Sequence, residues 1–548
     1  MMTRFCGKRQ SVKTFVVNYR LSQPGGVRRC ALTLRICALT LALAITVEAK
    51  TARAAEELQK TSSVVRDIGS VRQLFIDNHL IASMRNLRRD FHAAEKHKGP
   101  LMVPEHPWEG VGTAPWPSVY LFGDVIWDEA EKIYKMWYTA ATKDMTGQHF
   151  SLYATSTDGI DWRKPLDLGV VKYRGSGAND ILISNSSFQN ILKIDSEPDP
   201  RRRYQSFAYD RNVNAYVWRF SADGLHWGDP QVMTVLPDML DIGNVAYDES
   251  RSMYMLAVKK EHSKTYRHPV LGKYPGVEYR RWFMTTSKDT VHWTPLVEML
   301  SDFDEVDKAL YMDGEGSVML NTYGLSLYAY HGVFLGIQWL FRITDPGGFV
   351  DAEGGTMDGR LLFSRDWKKQ WQIPTRKFVL PRGRKGEFDW GLIMGVANRP
   401  VLSPGGNEWW YYYGGWDGGH GITRRRGCIG LAKLRVDGFA SIDSVGTEGT
   451  LSTTRLEFTG NRLKLNADAS GEDTAGARNF VKVALLDEDG RVLDGYSKES
   501  CDPFHGDSVN HTVSWQGSPD ISKLAGRVIR MEIHMKGAEL YALQFVDS

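Results

Sequence analysis

Ser156-Thr-Asp158-Gly-Ile-Asp-Trp162 is the stretch from which the architecture follows. The same Ser-x-Asp-x-x-x-Trp returns as Ser221-Ala-Asp223-Gly-Leu-His-Trp227 and as Ser287-Lys-Asp289-Thr-Val-His-Trp293. A looser copy is Ser364-Arg-Asp366 ahead of Trp371. The four tryptophans lie 65, 66 and 78 residues apart, so one supersecondary unit is being reused. Each copy follows a β-rich run such as Ser151-Leu-Tyr-Ala-Thr155, and Asp-Gly supplies hairpin chemistry. The carboxylate accepts turn N–H groups and Gly takes positive φ.

Working upstream, a second element recurs. Asp124-Val-Ile-Trp-Asp128-Glu129 turns into Ile133-Tyr-Lys-Met-Trp-Tyr138, and Asn244-Val-Ala-Tyr-Asp248-Glu249 turns into Met253-Tyr-Met-Leu-Ala257. Strand, acidic turn, strand, strand, Asp-Gly turn, Trp is one four-stranded propeller blade. Residues 69–445 divide into five units of about 75 residues, which predicts an all-β, five-bladed β-propeller. Beyond Gly446, alternating segments such as Val481-Lys-Val-Ala-Leu-Leu486 and Val528-Ile-Arg-Met-Glu-Ile-His534 predict a β-sandwich over 446–548.

The front of the chain has another character. Arg28-Arg29 precede an apolar stretch, Ile36 to Val47, and Ala52-Arg53-Ala54 forms an A-x-A cleavage site, so 1–54 reads as an export signal and 55–68 as a linker. The stretch is too short for a good membrane span, with an uncleaved anchor as the alternative. An exported protein, periplasmic or extracellular, follows. Of the five cysteines only Cys428 and Cys501 lie beyond this leader, so disulfides do not hold the fold.

The formal charge of +3 resides in that leader, which carries ten basic residues and one acid. The remainder has 58 basic and 64 acidic residues, net −6, which argues against a nucleic-acid partner. Arg201-Arg202-Arg203 and Arg424-Arg425-Arg426 read as solvated turns.

Leu74-Phe-Ile-Asp77-Asn-His-Leu-Ile81, Glu95-Lys-His97-Lys-Gly-Pro100, the Tyr153–Trp162 segment, Gly414-Gly-Trp-Asp-Gly-Gly-His420 and Gly430–Phe439 together resemble exported proteins of planctomycete-like bacteria. Those are assigned to the five-bladed β-propeller glycoside hydrolase superfamily, with its β-fructosidases and arabinan- and xylan-trimming enzymes. The β-fructosidase signatures, an Asn-Asp-Pro-Asn-type segment, an Arg-Asp-Pro and a Glu-Cys, are absent. The repeated motif also resembles the Asp-boxes of sialidases, one residue shorter. There the boxes are structural turns, which implies the same for Asp158, Asp223 and Asp289.

Glycoside hydrolysis needs two carboxyl groups, one a proton donor of raised pKa and the other a nucleophile or base. A propeller binds at the mouth of its channel, where the inner strands begin. Acids at those starts are Asp124, Asp241, the pair Asp313 and Glu315, and Asp389. The resemblance implies Asp124 as nucleophile or base, Glu315 as general acid, and Asp241 or Asp389 as the residue that orients a partner or tunes its pKa. Equally, an inner-strand Asp can do no more than accept backbone N–H groups. Trp108, Trp116, Trp390 and Trp416 lie in Gly- and Pro-rich loops and are candidate sugar platforms; Arg280 and Arg281, just before Trp282, and His420 are candidate readers of an acidic group. No metal motif, phosphate loop or nucleophile elbow is present, and no cofactor is called for; a structural calcium on the axis stays open. A carbohydrate substrate is the implied partner. The rivals are a non-catalytic carbohydrate-binding or scaffold propeller and a lyase or sialidase-like enzyme for acidic sugars.

Overall fold

The computed structural model describes residues 64–548 except 142–148, 235–241, 263–266, 269–271, 274–278, 301–302, 313–316, 318, 346–353 and 422–423. The leader 1–54 lies outside the described residues.

Five antiparallel blades follow one another along the chain. The inner strand of blade 1 is interrupted, Val119–Tyr120 then Val125–Asp128, and both pieces pair with Ile133–Ala141. Gly123 makes the break. Its φ is 142°, and a Cβ there would stand 2.0 Å from the Trp137 carbonyl oxygen. Blades 2 and 3 open with Ser186–Lys193 and Gly243–Asp248, each the first of four strands. Blade 4 is built on the long strands Met319–Tyr330, Val333–Asp345 and Gly354–Ser364, and blade 5 on Leu392–Val396, Glu408–Trp416 and Gly427–Arg435. The outermost strand of blade 5 comes from the front of the chain: Glu95–Lys96 pairs antiparallel with Gly427–Arg435, Lys96 opposite Ala432. The ring is therefore closed by a strand that precedes blade 1.

The Ser-x-Asp turns link the third strand of a blade to its rim. In each of the first three copies the aspartate Oδ1 accepts two consecutive backbone N–H groups at 2.8–2.9 Å, as Leu225 and His226 donate to Asp223, while the serine Oγ caps the next residue. Burial alone would raise the Asp223 carboxyl, but the His226 imidazole and these N–H groups bring it down to about 2. The depressed pKa makes the turn's contribution full above pH 4 and lost as pH falls towards 2. Asp223→Ala is expected to cost about 1 kcal/mol at pH 7. In urea melts, a deficit that persists unchanged at pH 2 would contradict this assignment.

The remaining strands form two six-stranded sheets around one apolar core. The first contains Val65–Gly69, Ile81–Arg85, Gly449–Thr453, Arg455–Phe458, Phe480–Asp487 and Ile529–Lys536. The second contains Gln73–Leu74, Leu87–Phe91, Ala440–Ser444, Arg462–Ala469, Gly506–Thr512 and Glu539–Val546. Strict alternation in Ile529–Lys536 turns Ile529, Met531, Ile533 and Met535 inward. The boundaries expected at 69 and 446 are corrected here. Residues 65–68, read as linker, are an edge strand paired in parallel with Arg455–Phe458, and 69–91 supply three further strands to these sheets. At the junction with the blades, the Asp437 carboxylate binds Arg72 at 2.6 Å, the Tyr330 hydroxyl at 2.6 Å and Asn466 at 2.9 Å.

Candidate active site

Inner strands run from the mouth of the ring to its far end, so residues at their starts face the mouth. Tyr120 and Phe122 come there from blade 1, and the Tyr120 hydroxyl lies 3.3 Å from His149 Nδ1, which Ser187 of blade 2 also reaches at 3.2 Å. Tyr120 packs on Trp416 with ring centroids 5.3 Å apart, and the Arg425 guanidinium covers Trp416 at 4.9 Å. From blade 4, Tyr323 meets His420 of blade 5, hydroxyl to Nε2 at 3.1 Å. Lys259 and Arg280 lie over the Tyr323 ring at 5.0 and 5.4 Å. An aromatic and cationic band thus lines the described part of the mouth.

Arg425 was not among the expected site residues. Within the Arg424–Arg426 cluster, read as solvated, Arg424 and Arg426 are exposed while Arg425 is only 9% exposed and donates to the Gly419 carbonyl. Burial lowers its pKa, against the electron-rich Tyr323 and Tyr120 hydroxyls. The Arg425 Nε and Trp416 Nε1 are both buried donors without a partner. Arg280 is one of the two arginines expected here. Strand alternation puts it on the face of Trp282, towards blade 4, whereas Arg281 turns the other way and pairs with Glu298 at 3.0 Å.

The expected platforms divide. Trp108 is corrected to core: it is buried, stacks on His106 and donates to Asp180 at 2.7 Å. Trp416 is also buried, a wall of the mouth and not an exposed face. Trp116 and Trp390 are half-buried, and His420 is half-buried beside Tyr323.

Of the expected acids, Asp241 and Glu315, with Asp313, lie outside the described residues. Asp389 is buried on the face of blade 5, where its Oδ2 receives Lys96 at 2.7 Å and the Tyr413 hydroxyl at 2.8 Å; it holds the ring-closing strand. Asp124 sits at the waist of the channel. Its two carboxylate oxygens accept the Ile191 N–H at 2.8 Å and the Asn398 N–H at 2.7 Å, so it staples blade 1 to blades 2 and 5. Asn190 and Asn398 repeat the device, accepting the N–H groups of Val245 and Leu327. Burial pushes the Asp124 carboxyl up to about 7, with the two N–H groups pulling against it. Because the folded pKa exceeds the unfolded one, this group destabilises the fold progressively between about pH 4 and pH 7.

A second buried carboxyl pair was not anticipated. The Tyr138 hydroxyl lies 2.9 Å from Glu109 and 2.6 Å from Asp180, between blades 1 and 5. One phenolic proton cannot serve two ionised carboxylates. Glu109 has Lys164 and two backbone N–H groups, so below about pH 6 Asp180 carries the extra proton, its pKa being raised to about 6 by burial and by Glu109. Because the folded pKa exceeds the unfolded one, this group lowers stability progressively between about pH 4 and pH 6 and adds no slope above that. Asp180→Asn is expected to reduce the slope between about pH 4 and pH 6 in thermal melts; a slope equal to the parent's would remove the shared proton from the account.

Among the described residues no group of three His, Cys, Asp or Glu side chains could hold a metal ion, and no helix is long and apolar enough to cross a membrane. No family model matches the chain, and no curated protein matches it. Among solved structures, the chain is distantly similar to an N-acetylgalactosamine deacetylase from F. plautii in complex with blood group B trisaccharide, with 15% identity and a TM-score of 0.40 over 65% of this chain and 97% of that one. It is also similar to the catalytic domain of a GH62 α-L-arabinofuranosidase from Coprinopsis cinerea, with 11% identity, a TM-score of 0.39 and coverage of 63% and 98%. A third is the α-L-arabinofuranosidase of Podospora anserina in complex with cellotriose, with 11% identity, a TM-score of 0.37 and coverage of 63% and 97%.

Proposed function

We propose that this protein is an exported glycoside hydrolase that cleaves oligo- or polysaccharides in the propeller mouth. The observation that carries the reading is the band of Tyr120, Tyr323, Trp416, His420 and Arg425, which brings aromatic rings and hydrogen-bonding side chains from several blades to the inner-strand starts. Ring faces take up the C–H faces of sugars, and the polar atoms between them fix orientation. Both Asp124 and Asp389 have their carboxylates occupied by structural partners, so the acid pair in this reading is Glu315 and Asp241. These precede the inner strands Met319–Tyr330 and Gly243–Asp248 by four and two residues. Glu315 protonates the leaving oxygen, and Asp241 acts as nucleophile or activates water. Two carboxyl groups suffice for this chemistry and no cofactor is required.

The test is reducing-sugar release from a panel of fructans, arabinans, xylans and sulfated or uronic-acid glycans. Release is expected from at least one, and His420→Ala should raise KM about tenfold with kcat within twofold, the signature of a lost binding contact. Binding of a panel glycan without release would move the protein to the non-catalytic carbohydrate-binding class.

A further inference from the structure

Beyond the Asp124 waist the channel opens again, at the far end of the ring. This well of about 370 Å³ is lined by the ends of all five inner strands, within the ~300–1,000 Å³ range of small-molecule sites. Its floor is closed. Both Asp124 oxygens are occupied, and the Asn398 amide binds the Val245 carbonyl, the Leu327 N–H and Asn244. A ligand's polar groups must therefore be met at the walls and rim. Trp127, Tyr247 and Trp409 provide half-buried rings, and Trp409 Nε1 is a buried donor without a partner. At the rim Lys193 is held by Asp128 and Asp195, whereas exposed Arg399 has no carboxylate in ion-pairing distance among the described residues. Arg399 is itself one of the residues that line the well.

A second cavity of about 370 Å³ adjoins the first, sharing Leu402 and Trp409 as a dividing ridge. It is bounded by Tyr330 and His331 of blade 4 and by Lys464, Asn510 and Gln544 of the C-terminal sheets. Lys464, like Arg399, has no carboxylate partner among the described residues. Two cavities, a tryptophan between them and in each one cation without an ion-pair partner match a ligand of two linked rings, each bearing an anion, with the exposed Glu249 carboxylate also lining the first.

We propose that the far end of the propeller channel is a non-catalytic binding site for an acidic disaccharide unit, its carboxylates on Arg399 and Lys464 and its ring faces on Trp409. The site is independent of the mouth and of any hydrolysis there. Isothermal titration of the full chain with digalacturonate at low salt tests it, the dimethyl ester serving as an uncharged control of the same shape. Saturable binding is expected, weakened at least tenfold by esterification, by Arg399→Gln and by 0.5 M NaCl, severalfold by Lys464→Gln, and unchanged by His420→Ala in the mouth. Arg399 is exposed and Lys464 half-buried, and the melting temperature of each variant serves as the folding control. Absence of binding, equal binding of the ester, or binding that survives Arg399→Gln but is lost in His420→Ala would each overturn the proposal.

Discussion

A chain that starts at Ala93, lacking residues 65–91, is expected not to fold, although it retains every blade and the ring-closing strand Glu95–Lys96. The segment removed supplies four of the twelve strands in the two C-terminal sheets. It buries Ile68, Phe75, Leu80 and Ile81 in their core and Leu74 and Ile76 against the blades. At ~1.5–3 kcal/mol for each large apolar side chain, the loss is roughly 10 kcal/mol, comparable with the whole stability of a typical domain at ~5–15 kcal/mol. It also exposes the edges of Arg455–Phe458 and Gly449–Thr453, which invites aggregation. Circular dichroism and size-exclusion chromatography decide it: the chain from Val64 should melt as one cooperative unit, the chain from Ala93 should aggregate, and an isolated 446–548 should lack a cooperative melt. A chain from Ala93 melting within a few degrees of the parent would show that 446–548 is the separable module its sequence suggests.

That prediction marks the line between what could be read in the sequence and what could not. The blades were legible because their punctuation is local. In Ser221-Ala-Asp223-Gly-Leu-His226 every turn bond joins residues two or three apart, so chemistry and spacing suffice. The strands at 65–91 were not, because their partners lie several hundred residues later, as Ile81 opposite Thr453, and nothing in Ile81–Arg85 names that partner. The site was legible only as a region. Period-two alternation decides between Arg280 and Arg281, but a one-residue ambiguity in register exchanges them. Arg425 differs from its neighbours by packing on Trp416, a contact across the loop that no composition rule contains. Asp124 meets backbone N–H groups of two other blades, and the sequence around it reads the same whether it faces substrate or a staple.

Glu315→Gln and Asp124→Asn are expected to fail in opposite ways. If Glu315 is the proton donor, its amide cannot protonate a leaving group, and kcat should fall by ~10²–10⁴ with KM and melting temperature nearly unchanged. Rescue on a substrate whose leaving group needs no proton would be the diagnostic signature. Asp124→Asn has a different physical consequence. One carboxylate oxygen becomes an NH₂ facing the N–H of either Ile191 or Asn398, so a buried donor meets a donor and that N–H loses its acceptor, costing ~1–3 kcal/mol. The substitution also removes the ionisation that penalises the fold above about pH 4, so the loss should be largest in acid and shrink towards neutral pH. Activity of this variant, measured well below its melting temperature, should fall no further than the folded fraction does. A ~10³-fold loss of kcat in a fully folded Asp124→Asn protein would instead make the waist carboxyl the nucleophile or base. The substrate would then have to reach past the Tyr120–Trp416 wall to the centre of the ring, and the mouth residues would be an antechamber to the chemistry.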